Sequence, residues 1–150
     1  MSGPSIESEA PIQGAPSRQV RRLGLHGVAG AVGRARDFTG GILREWGWLD
    51  PVGGGPEARE RAEDILLVVS ELVANAMAHG AGAREIAITG DGRGLTVAVT
   101  DGEAAVPTPL PPSDPARPGG HGLHVVELLS RQWGTTLHVS GKTVWAAFDR

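Results

Sequence analysis

The sequence predicts an α/β (α+β) two-layer sandwich, in which helices cover one face of a mixed, mostly antiparallel sheet. Three observations carry this expectation. Apolar residues at Ala58, Ala62, Ile65, Leu66, Val69, Leu72, Val73 and Ala76 keep the rhythm of a helix packed on a core. Two pairs of stretches with period-two alternation, each joined at a glycine, read as hairpins. A third helix opens on Gly119-Gly120-His121-Gly122. The order is therefore strand, helix, helix, hairpin, long loop, helix, hairpin.

Composition narrows the classes. A chain of 150 residues fits one domain, long enough to bury roughly 68–70% of its unfolded surface. Lys+Arg 14 against Asp+Glu 17 leaves a net charge of −3, so no basic field invites nucleic acid. Cysteine is absent, which excludes a disulfide scaffold and thiolate chemistry. No apolar run approaches the ~18 residues of a membrane span, and the first residues lack the layout of a signal peptide. A soluble, cytoplasmic protein is expected.

Residues 1–17, rich in Ser, Pro and Gly, bury too little to fold and are expected to be a disordered tail before a domain at 18–150. Gln19 to Leu25 reads as a first strand, with Leu23 and Leu25 on one face. Ala31, Val32, Ala35, Phe38, Ile42, Leu43 and Trp46 then keep helical spacing to about Gly47. Gly33, Gly40 and Gly41 weaken that helix by about 1 kcal/mol each. The segment from Asp50 to Pro56 ends it; its glycines are flanked by prolines and follow no strand, so it reads as a connector rather than a phosphate loop.

The second helix is unusual on the face turned away from its apolar stripe. Between Ile65 and Ala78 the only polar residues are Ser70, Glu71 and Asn75. Glu71 and Asn75 are four apart and so share a stripe, together with Leu67, Val68, Ala74 and Ala78. No solvated face would choose those neighbours. The helix is expected to be covered on two sides, with a carboxylate and an amide pointing into something, and a metal-bound ligand is a good partner for a half-buried charge. Gly80 reads as the stop.

Ile86 and Ile88, then Leu95, Val97 and Val99, alternate around the turn Gly90-Asp91-Gly92-Arg93-Gly94. The second strand runs into Thr100-Asp101-Gly102, where the aspartate suits either ligand reading or turn formation. Residues 103–118 hold six prolines and no periodicity. The glycines that follow open a helix with Leu123, Val126, Leu129 and Trp133 as its apolar positions. They would serve as a phosphate cradle at the positive end of the helix dipole, or as a plain flexible cap. Thr135 to Ser140 and Thr143 to Phe148 read as a last hairpin turning at Gly141-Lys142.

Together these signals resemble a known family. Glu71-Leu72-Val73-Ala74-Asn75-Ala76 with His79-Gly80 resembles the N box of the Bergerat-fold ATPases, the histidine kinase-like superfamily. Val99-Thr100-Asp101-Gly102 looks like its first glycine box, and Gly119-Gly120-His121-Gly122-Leu123 like its second. The order is right, and the proline-rich loop falls where that family carries its ATP lid. The small anti-sigma factor kinases and their actinobacterial relatives are the most similar group, sharing Trp133-Gly134 and Trp145, over about residues 19–149.

The resemblance implies roles. Asn75 would hold Mg²⁺ bridging the nucleotide phosphates, and Glu71 would be the catalytic general base. Asp101 would accept a hydrogen bond from the adenine amino group, with Gly102 letting the base approach. Gly120 and Gly122 would donate backbone N–H groups to the phosphates, Gly119 would hinge the lid, and Leu123 would complete the cofactor pocket. His79 would approach the nucleotide or simply stabilise the helix end. Arg117, the only basic residue of the lid, would touch the terminal phosphate or sit in a solvated turn. The first glycine box departs from the family's Asp-x-Gly-x-Gly, since Glu103-Ala104-Ala105 follow Gly102, which implies a lower adenine affinity.

The implied function is an ATP- and Mg²⁺-dependent serine/threonine kinase of the anti-sigma type. Its partners would be an anti-anti-sigma factor and a sigma factor, with Trp46 and Trp48 of the first helix offering a homodimer or sigma-binding face, or else packing in the core. The alternative is a nucleotide-sensing binding module that transfers no phosphate.

Overall fold

A computed structural model of the chain describes residues 17–49, 55–78, 82–102 and 120–150. Strand β1 (Gln19–Gly24) leads into helices α1 (Ala31–Glu45) and α2 (Gly55–Ala78). The hairpin β2 (Ala83–Gly90) and β3 (Gly94–Asp101) follows, then helix α3 (Gly120–Leu129) and the hairpin β4 (Gln132–His138) and β5 (Gly141–Asp149). The strands form one sheet in the order β1-β2-β3-β5-β4. Every neighbouring pair is antiparallel, so the expected mixed sheet is an antiparallel one. The two-layer arrangement of helices on a sheet is as expected.

Helix α2 is central because its apolar stripe is the longest. Ala62, Ile65, Val69, Leu72, Val73 and Ala76 are buried in one cluster with Ile86, Ile88, Val97, Val99, Val144, Ala146 and Phe148 of the sheet. Each such aliphatic side chain contributes roughly 1.5–3 kcal/mol on burial. Pro56 sits in the first turn, where its missing N–H costs nothing. Helix α1 packs along one flank of α2 and α3 along the other.

Helix α1 forms despite its glycines because Ala31, Ala35, Ile42 and Leu43 are buried. It starts at Gly30 in the left-handed conformation, φ 67°, without a side-chain cap. At its end Trp46 N–H donates to Ile42 O and Trp48 N–H to Leu43 O, each 2.8 Å. Trp48 belongs to the core, which removes it from any partner-facing surface of this region. Trp46 is half-buried, with its ring where a Cβ on Gly90 would lie, 2.6 Å from Cζ3.

The outer face of the sheet follows from the register. Ala87 lies opposite Ala98, Ala98 opposite Trp145, and Trp145 opposite Gly134. Arg22 and Glu85 form an ion pair of 3.1 Å on that face, and the Thr100 and Thr143 hydroxyls meet at 2.7 Å.

Three expectations need correcting. Trp133 is not a helical position: α3 stops at Leu129 and Trp133 lies in β4, opposite Ala146. The last hairpin turns at Val139-Ser140, not at Gly141-Lys142, both of which are in β5. Its strands consequently begin and end about two residues from where alternation put them. Finally, the second face of α2 is only partly covered: Val68 and Asn75 are buried, whereas Leu67, Ala74 and Ala78 are exposed. The tail at 1–16, the Asp50–Gly54 stretch, His79, Gly80, the proline-rich segment with Arg117, and Gly119 lie outside the described residues.

Candidate functional site

Topology gathers the candidate residues at one end of the sheet. Asp101 closes β3 and faces Ala83, the first residue of β2, and Lys142, near the start of β5. Helix α2 feeds β2, so its last turns, which carry Glu71 and Asn75, are at this end. Helix α3 feeds β4, whose Gln132 pairs with Ala147 at the far end, so the helix begins at the Asp101 end. Helices α2 and α3 therefore run antiparallel, with the α2 C-terminus beside the α3 N-terminus.

Asn75 is 6% exposed, a buried amide on the last turns of α2. Buried amides are as a rule hydrogen-bonded to protein or water. The Asn75 side-chain oxygen has the hard, neutral character that suits a divalent cation carrying most of its ligands from phosphate and water. Glu71 lies one turn earlier, about 6 Å along the axis; it is half-buried and forms no ion pair among the described residues. Beside it the Ser70 hydroxyl donates to Leu66 O at 3.0 Å and accepts from Arg36 at 2.6 Å, which ties α1 to α2 at the level of the carboxylate.

Asp101 is 1% exposed and binds Lys142 Nζ through Oδ1 at 3.1 Å, with Lys142 itself 2% exposed. Gly102 follows directly. Across the site, α3 begins at Gly120 and takes Gly122 and Leu123 into its first turn, with Leu123 buried. The first N–H groups of a helix have no partner within it and carry its positive dipole end, the arrangement that takes an anion. His124, one position on, keeps a buried Nε2 without a partner among the described residues, while its Nδ1 lies 3.8 Å from Glu127.

Thus Glu71, Asn75, Asp101, Gly102, Gly120, Gly122 and Leu123 come from three separated segments to one end of the fold. The residue that sequence reasoning missed is Lys142. Its one sequence signal was its singularity, as the chain's only lysine. A depression of about 330 Å³ at the far end of the sheet, between Arg18, Asp91, Arg93 and the Arg131–Asp149 pair, carries charges of both signs.

An open antiparallel sheet backed by helices, with a carboxylate at a strand end and an amide on the facing helix, defines a class of nucleotide-binding domains. Comparison with known families agrees, matching residues 30–148 to the histidine kinase-like ATPase domain. The chain belongs to that family, whose members bind ATP. No curated protein matches the chain closely.

Proposed function

We propose that the protein is a Mg²⁺- and ATP-dependent serine/threonine kinase of the anti-sigma type. It phosphorylates an anti-anti-sigma partner and, when unmodified partner is scarce, sequesters a sigma factor. The observation that carries the catalytic part is the pair on α2: a buried amide one turn after a half-buried glutamate that forms no ion pair among the described residues. A scaffold without a ligand gives neither side chain a physical reason to be there.

In this reading Asn75 offers its side-chain oxygen to Mg²⁺, which when bound neutralises charge on the transferring phosphoryl group. Among the described residues no cluster of three or more His, Asp or Glu could cage a metal, so the ion would arrive with the nucleotide. The N-terminus of α3 holds the phosphates, and Asp101 takes the adenine amino group. Glu71 accepts the proton of the partner's hydroxyl as its oxygen bonds to the γ-phosphorus, while the bond from that phosphorus to the bridging oxygen of ADP breaks.

Calorimetry of ATP binding with and without Mg²⁺, on the wild type and on Asn75→Ala, tests this. Binding that requires Mg²⁺ and is lost with the amide supports the site. No binding at millimolar ATP removes the kinase reading. Binding without phosphotransfer to any partner leaves a nucleotide-sensing module.

A further inference from the structure

The Asp101–Lys142 pair has a geometry that a turn lysine could not produce. The two residues are directly opposed in the β3–β5 ladder, so their side chains leave the same face of the sheet, towards the helices. Gly141 makes the approach feasible: a Cβ there would land on the carbonyl oxygen of Asp101. Both charged groups are almost wholly buried and Nζ lies 3.1 Å from Oδ1. An ammonium within hydrogen-bond distance both pairs a carboxylate's charge and fixes the direction in which its oxygens face.

That orientation matters for the base. A 6-amino group is a donor, and a carboxylate presents acceptor lone pairs to it. Guanine and hypoxanthine carry an oxygen at the same position, which a carboxylate repels. We propose that Lys142 is a positioning residue for base selection: it orients the Asp101 carboxylate, so that the site takes 6-aminopurine nucleotides over 6-oxo and 6-unsubstituted ones. The proposal rests on the nucleotide reading above and adds to it the residue that enforces the choice of base.

Two measurements test it. In the first, affinities for ATP and for purine riboside triphosphate, which lacks the amino group, are compared in the wild type and in Lys142→Met. A charge-assisted hydrogen bond sets the expected wild-type preference for ATP at roughly tenfold to a hundredfold. In Lys142→Met this ratio falls to within about threefold, while the Mg²⁺ requirement that depends on Asn75 persists. A merely structural lysine would weaken both nucleotides equally and leave the ratio intact, which overturns the proposal.

The second measurement needs no variant and covers the case in which Lys142→Met does not fold. Lys142 is the chain's only lysine, so isotope-labelled lysine yields a single side-chain resonance by NMR. Saturating ATP should shift that resonance more than purine riboside triphosphate does. Equal shifts, or none while ATP binds, overturn the proposal and leave the nucleotide site standing. A wild type that binds neither nucleotide overturns both.

Discussion

Gly134 and Trp145 face each other across the β4–β5 ladder, and the indole occupies the space above the glycine so closely that a Cβ there would lie 2.7 Å from Cζ2. An aromatic ring folded over a cross-strand glycine covers backbone that would otherwise be bare. Gly134→Ala must push the ring aside, at an expected cost of about 1–3 kcal/mol. Urea unfolding followed by tryptophan fluorescence checks this; an unchanged midpoint would show that the ring moves freely.

Gly141→Ala should be worse. Here the obstruction is the backbone oxygen of Asp101 rather than a side chain that can rotate away. The β3 and β5 backbones would have to part at the site, so the variant should lose ATP affinity as well as stability. Nucleotide titration of the folded fraction separates the two effects, and wild-type affinity would mean that the strands can spread without disturbing Asp101.

Glu71→Gln keeps the shape of the side chain and removes its basicity. Phosphotransfer to the partner should fall by about 10²–10⁴, with ATP binding within about twofold of wild type. Retained transfer would take Glu71 out of the role of base.

Two leucines on the flanking and central helices provide a stability contrast. Leu72, buried between α2 and the sheet, should cost about 2–5 kcal/mol on truncation to Ala. Leu128 on α3 is 83% exposed, and Leu128→Ser should stay within about 0.5 kcal/mol. Thermal unfolding of both variants checks the direction in which α3 faces. A large loss at Leu128 would reveal a covered surface there.

Much of this was legible in the sequence because the informative residues act locally. The apolar rhythm from Ala62 to Ala76 gave α2, and the alternation from Ile86 to Val99 gave a hairpin whose inner residues are all buried. Glu71 and Asn75 stood out because polar groups on an apolar helix are costly. What failed depended on contacts distant in sequence. Gly141-Lys142 has the composition of a turn, yet the glycine serves a close approach to β3 and the chain reverses two residues earlier. That displacement moves Lys142 from solvent to the interior, and side-chain direction in a strand changes with every residue. Trp133 prolongs the spacing of Leu123, Val126 and Leu129 by coincidence, since from Gln132 onward pairing with β5 governs the chain.

The adjacency of β3 and β5 has a further consequence, for divergence. The 103–119 segment leaves from Gly102, on a strand zipped to β5 over its whole length, and re-enters at the start of α3, held against α2. Its two ends adjoin the β3–β5 ladder at Gly102 and the packing of α3 on α2 at Gly120. Closing a loop between fixed points becomes costlier only with the logarithm of its length, about 0.6 kcal/mol per doubling. A change of length between Gly102 and Gly120 is therefore expected to cost little in loop-closure entropy. The β3–β5 register that sets Asp101 opposite Lys142 does not depend on that length.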